Sequence, residues 1–454
     1  KTSVTVTKAW ADANNQDGIR PNDVTVKLLK NGEVCDEKHF KHGIRTVSLV
    51  RTSCTDKDGN GEFLFKVNGK KVFCLGTNWV PLDAFPSRHK EHLADALRML
   101  DDLGCNMVRC WGGNVYECDE FYDFCDQHGI LVWQDFGMGC AVYPLTEDFS
   151  QRLYREAVHV IKRLRQHPCL ALWAGDNEND LVYGNKDPNK NFLTREVLPK
   201  ALLEHDCCLP YIPSSPYVDE YAFATKKPKS EDHLWGPRDY FKGDFYRNSV
   251  CHFASETGYH GCPSPVSLKK FLSEKAVWPI FDQNGVPNDD WVCHAAEMQG
   301  GTSGPYAYRI KLMDSQVKSL FGSAAEELDD YARQSQISQA EAKKYFIERF
   351  RLSKWRRTGI LWWNLLDGWP QISDAIVDWY GTKKLAYSYI KRSQAPICMM
   401  FDEPDEDGNI SLFAVNDTTR NANLRFKVTD VASGEILLEG AADALADSSV
   451  KVGA

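Results

Sequence analysis

The chain has 454 residues, enough for two or three domains, and its 43% hydrophobic and 26% charged residues are ordinary for a globular protein. No apolar run approaches the roughly 20 residues that cross a bilayer, and the formal net charge of -9 argues against nucleic acid as the main partner. The 15 cysteines are odd in number and scattered, which predicts buried free thiols, no metal site and a reducing, cytoplasmic location.

Residues 1–54 are predicted to form a small β-sandwich segment. Apolar and polar residues alternate at positions 4–6, 24–29 and 46–50, which is typical of strands. Asn, Asp and Gly residues between these runs are typical of turns. The segment is therefore either a small sandwich or part of one.

Residues 55–392 are predicted to form a (β/α)8 barrel, so the fold class is α/β. Two alternating runs flank Asn68-Gly69, a dipeptide typical of a tight hairpin turn. Short apolar strands then alternate with amphipathic helices, for example over residues 91–103 and 153–165. Eight such units suit a barrel, with residues 275–333 as an insertion after the seventh strand. The strands are predicted to start near Phe73, Asn106, Ile130, Cys169, Tyr211, His233, Cys251 and Gly359.

Residues 393–454 return to strand patterning. Alternating runs at 410–415, 424–428 and 436–438 predict the start of a second sandwich, of immunoglobulin-like type. The barrel is therefore expected to be flanked by small β-sandwich segments on both sides.

Carboxylates follow several of the predicted barrel strands. In such a barrel, reactive groups lie at the carboxyl ends of the strands, which all meet at one rim. Asp135 ends the third strand, Asn177-Glu178 ends the fourth and Glu256 ends the seventh. Cleavage of a glycosidic bond uses two carboxyl groups, one as the acid and one to attack or stabilise the sugar cation. Glu178 and Glu256 are candidates for this pair, although any barrel rim carries several acids.

Histidines and tryptophans also follow the predicted strands. His233, His252 and His294 are interpreted as neutral core or substrate-contacting residues rather than as bases or metal ligands. Trp362 and Trp363 are adjacent on a strand and must face opposite ways, so one of them is predicted to lie in the core.

Six motifs resemble glycoside hydrolase family 2, most closely its β-mannosidase branch. They occur in family order, and the resemblance covers roughly residues 35–440. The motifs are GTNWVPLD at 76–83, RCWGGNVYE at 109–117, LVWQDF at 131–136, LALWAGDNE at 170–178, SETGY at 255–259 and WNLLDGWP at 363–370.

This resemblance implies a retaining exo-β-glycosidase that acts by double displacement. Glu178 matches the family's acid/base and Glu256 its nucleophile. Asn177 would hold the sugar near its 2-position, and Trp363 would form a floor of the pocket. Further substrate contacts are expected, without fixed roles, from Trp111, Trp235 and Asp135. The expected partner is a carbohydrate, with no cofactor, nucleic acid or membrane, and no oligomeric state is predicted.

The substrate most consistent with the motifs is a terminal β-linked mannose. The segments at 111–113 and 133–136 follow the mannosidase version of the family pattern. β-Galactosides, β-glucosaminides and β-glucuronides are the alternatives. A second class of function also stays open, a barrel that folds but turns over poorly, because family members carry an N-terminal jelly-roll domain that this sequence lacks.

Residues 1–34 resemble a different family, the B-type repeats of Gram-positive collagen adhesins. In those repeats the lysine that matches Lys8 forms an isopeptide bond with an asparagine of the final strand. That strand has no counterpart here, so we expect Lys8 to have no covalent partner. The resemblance leaves a cell-surface origin open for this segment.

Overall fold

The computed structural model describes residues 23–31, 33–41, 43–56, 58–182, 186–206, 208–295 and 309–454. The strand predicted at residues 4–6 and Lys8 lie outside these ranges. The chain divides into two compact units, residues 1–45 and 46–454. In the first unit, β1 (Asp23–Lys30) pairs antiparallel with β2 (Glu33–Lys41), so a strand is present where the alternation at 24–29 predicts one.

The second unit opens with an antiparallel sheet. Its strands are β3 (Val47–Arg51), β4 (Phe63–Val67) and β5 (Lys70–Val72). Asn68 and Gly69 connect β4 to β5 with φ values of 50° and 74°, the positive values that a tight hairpin turn requires. Because β3 pairs with β4, residues 46–54 belong with this hairpin and not with the preceding segment.

Eight parallel strands follow and form the predicted barrel. Each starts within two residues of its predicted position. In the sheet β10 and β11 occupy the two ends of the order β10-β9-β8-β7-β6-β13-β12-β11. The strands are β6 (Cys74–Trp79), β7 (Met107–Cys110), β8 (Leu131–Asp135), β9 (Leu170–Ala174), β10 (Tyr211–Ile212), β11 (Glu231–His233), β12 (Phe253–Glu256) and β13 (Gly359–Trp362).

Helices connect the strands and cover the outside of the barrel. None of those in the described ranges is long and apolar enough to cross a membrane. They are α1 (His89–Asp102), α2 (Asp119–His128), α3 (Glu147–Leu164), α4 (Asn179–Val182), α5 (Leu198–His205), α6 (Glu220–Thr225), α7 (Asp244–Arg247), α8 (Pro265–Phe271), α9 (Asp289–His294), α10 (Arg309–Phe321), α11 (Leu328–Leu352) and α12 (Leu385–Ser393).

Helix α3 begins earlier than its apolar periodicity predicts. We expected a start at Leu153, but the helix begins at Glu147. The side-chain oxygen of Thr146 accepts a hydrogen bond from the backbone N–H of Phe149 at 3.3 Å. A capping threonine followed by acidic residues stabilises a helix start even where no apolar stripe marks it.

The hairpin β4–β5 closes one mouth of the barrel. Phe63 and Phe65 pack against Trp133 and Phe253 inside it, with ring centroids 5.2–6.3 Å apart. This cluster includes the first residues of four strands, namely Cys74, Met107, Leu131 and Phe253. The amino-terminal mouth is therefore filled with apolar side chains, and the carboxyl-terminal mouth is the one left for a site.

The insertion after the seventh strand has an apolar core of its own. Helices α9 and α10 and the start of α11 pack around Trp291, Met313 and Tyr331, all fully or nearly fully buried. These elements fall within the insertion predicted over residues 275–333.

Two antiparallel sheets form the carboxyl-terminal part of the second unit. One contains β14 (Ile397–Phe401), β15 (Leu412–Asn416) and β18 (Ser448–Gly453), and the other contains β16 (Ala422–Thr429) and β17 (Ile436–Ala444). Their immunoglobulin-like character stays a prediction. A cavity of about 680 Å³ lies between α11 and these strands.

Candidate active site

The carboxyl-terminal rim of the barrel brings together side chains from seven strands or the loops that follow them. The seven residues predicted from the sequence lie together at this rim, where hydrogen bonds or ring contacts connect them directly or through Arg109 and His233. The contributing side chains are Asn78, Arg109, Asp135, Asn177, Glu178, His233, Glu256 and Trp363.

The loops that follow β8 and β10, the two strands beside β9, hold Glu178 and the residue before it. Its backbone N–H donates to the carbonyl of Ser215 at 2.9 Å. The backbone of Asn177 bonds Met138 at 2.9 Å and Cys140 at 2.8 Å. Glu178 has a φ of 59°, a left-handed conformation that costs a non-glycine residue about 1–3 kcal/mol. The flanking loops therefore impose a strained backbone on the residue that we assign as the acid.

Glu256 is anchored through both of its carboxylate oxygens. Nη1 of Arg109 donates to Oε1 at 2.7 Å, and Nε1 of Trp235 donates to Oε2 at 2.8 Å. Nδ1 of His233 lies 3.4 Å from Oε2. A carboxylate with a buried guanidinium and an indole N–H on its oxygens is fixed in direction.

The two glutamates lie close together. One carboxylate oxygen of Glu178, one of Glu256 and a ring nitrogen of His233 all lie within 4.8 Å of one another. In retaining glycosidases the carboxyl groups are about 5–5.5 Å apart, whereas inverting enzymes leave room for a water at about 6.5–9.5 Å. The short separation is the geometry expected for double displacement.

Burial raises the pKa of Glu178 above its ordinary value. Hydrogen bonding by Cys140 and the charges of Arg109 and Arg238 lower the same pKa by smaller amounts. A carboxyl group that keeps its proton to higher pH is suited to act as a general acid.

Arg109 makes hydrogen bonds to several side chains of the site, although no role was predicted for it from the sequence. Besides Glu256, it donates to Oδ2 of Asp135 at 2.7 Å, to Oδ1 of Asn177 at 2.7 Å and to Oδ1 of Asn78 at 3.0 Å. The sequence did contain an indication of this role, namely an arginine within an apolar strand. An arginine at such a position is fully buried only when carboxylates pair with it.

Asp135, for which a substrate contact is predicted, lies at the end of β8 beside Arg109. It is buried, and its carboxylate accepts hydrogen bonds from Arg109 and from Nε1 of Trp133 at 2.9 Å. Burial raises its pKa to about 6 in spite of the opposing effect of Arg109. Asp135 therefore holds Arg109 in place, and its contact with the sugar stays a prediction.

Three tryptophans form the aromatic wall of the pocket. Trp363 lies between Trp111 and Trp235, with ring centroids 5.3 Å and 6.1 Å away and the rings nearly perpendicular. All three are only half buried, so aromatic faces remain open. A side chain at Gly113 would lie 2.1 Å from the ring of Trp111, and the glycine therefore lets that ring lie over the backbone. Trp362 points into the core, where it bonds Gln394 at 3.0 Å.

Asn177 and Cys140 form a polar pair beside Glu178. Nδ2 of Asn177 donates to Sγ of Cys140 at 3.2 Å, and the Cys140 thiol donates to Oε2 of Glu178 at 3.5 Å. Oδ1 of Asn177 is occupied by Arg109. The contact of Asn177 with the sugar stays a prediction, and the amide group that remains for it is Nδ2.

Two clusters within the described residues have the spacing of possible metal ligands. One is the group Glu178, His233 and Glu256, and the other is Asp123, Asp126 and His167. In the first, Arg109 and Trp235 already occupy the oxygens of Glu256. The chemistry of that donor set is therefore better matched to a hydrogen-bonded carboxylate pair than to a cation.

Comparisons with known proteins show similarity to β-mannosidases. The chain is 31% identical over 430 residues to the β-mannosidase of Capra hircus, covering 86% of this chain and 46% of that protein. The crystal structure of the β-D-mannosidase from Dictyoglomus thermophilum aligns with a TM-score of 0.79 and 32% identity, over 94% of this chain and 51% of that one.

Two further matches concern fold and the amino-terminal segment. An exo-chitosanase from Amycolatopsis orientalis aligns with a TM-score of 0.69 at 20% identity, over 95% of this chain and 49% of that one, which shows the fold alone. The Cna protein B-type domain family matches residues 4–68, so the second resemblance in the sequence is confirmed and extends further than residue 34.

The chain spans about half the length of the relatives it matches. Over that half, the chain is similar in sequence and in fold to proteins named β-mannosidase. The chain is β-mannosidase-like over the half of those proteins that it spans.

Proposed function

We propose that this barrel is the catalytic domain of a retaining exo-β-glycosidase that releases terminal β-linked mannose. The observation that carries the proposal is the short separation between Glu178 and Glu256, whose nearest oxygens lie within 4.8 Å of each other. The similarity to proteins named β-mannosidases supports the choice of sugar.

In the first step, Glu256 attacks the anomeric carbon while Glu178 gives its proton to the leaving oxygen. A covalent glycosyl–Glu256 ester forms, and the aglycone departs as an alcohol. In the second step, Glu178 takes a proton from water, which attacks the anomeric carbon and releases Glu256. Arg109 and Trp235 direct the carboxylate of Glu256 towards the sugar, and they stabilise its charge when it leaves again.

Selection of mannose requires a group that reads its axial 2-hydroxyl. A site built to hydrogen-bond a hydroxyl strongly rejects an analogue without that hydroxyl, because a buried polar group of the site is then left unpaired. Asn177 is the candidate reader, since its Nδ2 is next to Glu178 and its Oδ1 is fixed by Arg109. A reducing, cytoplasmic setting is part of this proposal, and it is supported by the absence of a disulfide bond among the described residues.

A comparison of kcat/KM on five aryl β-glycosides tests the proposal. We expect hydrolysis of the mannoside to exceed that of the glucoside, galactoside, glucosaminide and glucuronide, and we expect Glu256→Ala to abolish it. Glu120→Ala is the matched control, because Glu120 lies on the surface of α2 and pairs with Lys90. Preference for another sugar would contradict the mannosidase assignment, and no turnover on any of the five would contradict the function itself.

A further inference from the structure

A buried chain of hydrogen bonds leads from Glu178 into the barrel wall. Nδ1 of His233 lies 2.7 Å from Oε1 of Glu178. Its other ring nitrogen, Nε2, lies 3.1 Å from Oγ of Ser215. That hydroxyl lies 2.8 Å from Oε1 of Glu231, and Ser255 also donates to the same oxygen. The chain therefore joins two carboxyl groups, Glu178 and Glu231, through one imidazole and one hydroxyl.

These contacts bridge the two ends of the barrel sheet. Ser215 follows β10, whereas Glu231 and His233 are the first and last residues of β11. The order of the sheet places β10 and β11 at opposite ends. Side-chain hydrogen bonds thus connect the two strands where no backbone ladder does within the described residues.

His233 is neutral in this chain. Burial lowers its pKa to about 3, although the charge of Glu256 acts in the opposite direction. The 2.7 Å contact with Glu178 is therefore a hydrogen bond and not an ion pair. A neutral imidazole carries one N–H, so one ring nitrogen donates while the other accepts.

Glu231 is an acid that the double-displacement mechanism does not use. It is 3% exposed, and burial raises its pKa to about 7, against the effect of hydrogen bonds from Ser255 and Ser215. A buried carboxyl group with this pKa exchanges a proton near neutral pH, which a structural carboxylate paired with a cation does not do.

Two arrangements of the protons satisfy every hydrogen bond along the chain. In the first, Glu178 is protonated and donates to Nδ1, the N–H on Nε2 donates to Ser215, and the Ser215 hydroxyl donates to ionised Glu231. In the second, protonated Glu231 donates to Ser215, Ser215 donates to Nε2, and the N–H on Nδ1 donates to ionised Glu178. Three proton transfers interconvert them: Glu178 to Nδ1, Nε2 to Ser215, and Ser215 to Glu231. The total charge is unchanged.

We propose that Glu231 shares a proton with Glu178 through Ser215 and His233, so that these three residues form a relay that stores the proton of the general acid. This inference rests on the proposed function of Glu178. Glu231 contacts no reacting atom and acts through the relay. A consequence of the relay is that the carboxyl groups of Glu178 and Glu231 titrate as a pair. The ionised form of one then raises the proton affinity of the other.

Other charged groups face the relay and contribute to its titration. Arg109 lowers the pKa of all three titratable members, and Asp232 raises those of Glu231 and His233. Lys229, which pairs with Asp232 at 3.1 Å, also lowers that of His233. Arg238 acts on Glu178, and Glu256 on His233. A cavity of about 10 Å³ beside Glu231 is further lined by Arg51 and Tyr217.

Three variants separate the relay from a simple structural contact. Glu231→Gln keeps the size and an accepting oxygen but cannot take up a proton, Ser215→Ala breaks the relay and keeps the charge of Glu231, and the third variant combines both. Each is assayed as a profile of kcat/KM against pH on two mannosides. Hydrolysis of a methylphenyl mannoside requires the general acid to protonate the leaving group. The leaving group of a dinitrophenyl mannoside does not require this proton.

On the methylphenyl mannoside we expect the alkaline limb of each single variant to move to lower pH by about one unit, because Glu178 then titrates alone. The alkaline limb of the double variant should move no further. Each variant should hydrolyse the dinitrophenyl mannoside with a kcat/KM within about threefold of that of the unmodified chain. An alkaline limb that stays in place would overturn the relay. Equal losses of kcat/KM on both substrates would indicate a structural defect and would also overturn it.

Nitrogen NMR of ¹⁵N-histidine-labelled chain tests the relay without substrate. We expect His233 to give shifts averaged between its two neutral tautomers, and Ser215→Ala to leave the Nδ1–H tautomer alone. A single tautomer that Ser215→Ala does not change would overturn the proposal. Because this measurement needs no turnover, two tautomers in a chain that hydrolyses no aryl glycoside would sustain the relay while refuting the glycosidase function.

Discussion

Nη1 of Arg109 donates to Oε1 of Glu256 over 2.7 Å, and the arginine side chain has no solvent exposure. A buried guanidinium compensates the charge of a buried carboxylate and fixes its direction. The same guanidinium holds Asp135 on its other side. The position of the proposed nucleophile therefore depends on one residue of β7, a strand separated from β12 in the sheet by β6 and β13.

Replacing Arg109 with Met should lower the free energy of unfolding by about 3–5 kcal/mol, because it leaves two buried carboxyl groups without their cation. Urea denaturation measures the change. The matched control is Arg152→Met, since Arg152 pairs with Asp148 on the exposed face of α3, and it should change stability by about 0.5 kcal/mol or less. Equal effects of the two substitutions would contradict the role of Arg109.

Replacing Asp135 with Asn should lower kcat about 10- to 100-fold with little change in KM. The amide keeps the size of the side chain but loses the charge that holds Arg109, so Glu256 is displaced from its position. Steady-state kinetics on an aryl mannoside gives both constants. A rise in KM at unchanged kcat would instead show that Asp135 contacts the sugar, as its sequence motif first indicated.

Replacing Cys140 with Ala should move the alkaline limb of the rate profile to higher pH. The Cys140 thiol donates to Glu178 and lowers its pKa, so its removal raises that pKa. The protonated acid then persists to higher pH, and activity is lost later as the pH rises. Cys293→Ala is the control, because Cys293 is exposed on α9. A limb that moves downward or stays in place would show that the thiol does not act on Glu178.

Removal of the two glutamates should have different consequences. Glu178→Ala should retain the first step on a dinitrophenyl mannoside and recover turnover with azide, which replaces water without needing a base. Glu256→Ala should not form the glycosyl ester at all, and azide should not restore release of mannose with retention. Mass spectrometry of the sugar products distinguishes mannosyl azide from mannose. Azide rescue with retention in Glu256→Ala, and none in Glu178→Ala, would reverse the assignment.

Periodicity predicted the barrel well, because most of its strands are apolar runs between polar segments, although β11 (Glu231–His233) is polar. Motif resemblance then located Glu178 and Glu256. Helix α3 was predicted too short since its first turns carry no apolar stripe, and only the cap at Thr146 marks the start. The boundary near residue 54 missed the pairing of β3 with β4 because strand partners are not visible in local alternation.

The network behind the glutamates could not be predicted in the same way. Arg109 meets Glu256 across 147 positions of sequence, and Ser215 meets Glu231 across the ends of the sheet. Neither contact has a periodic signature. What the sequence does show is a charged residue within an apolar strand, and such a residue demands a partner without saying which one.

The central claim is that Glu178 and Glu256 hydrolyse a β-mannoside by double displacement, and the stereochemistry of the first product tests it most directly. Proton NMR during the first minutes of hydrolysis of an aryl β-mannoside, before mutarotation, identifies the anomer that is released. Two successive displacements predict β-mannose. Release of α-mannose would mean a single displacement by water, which would contradict the role given to Glu256 and the meaning given to the short distance between the two carboxyl groups.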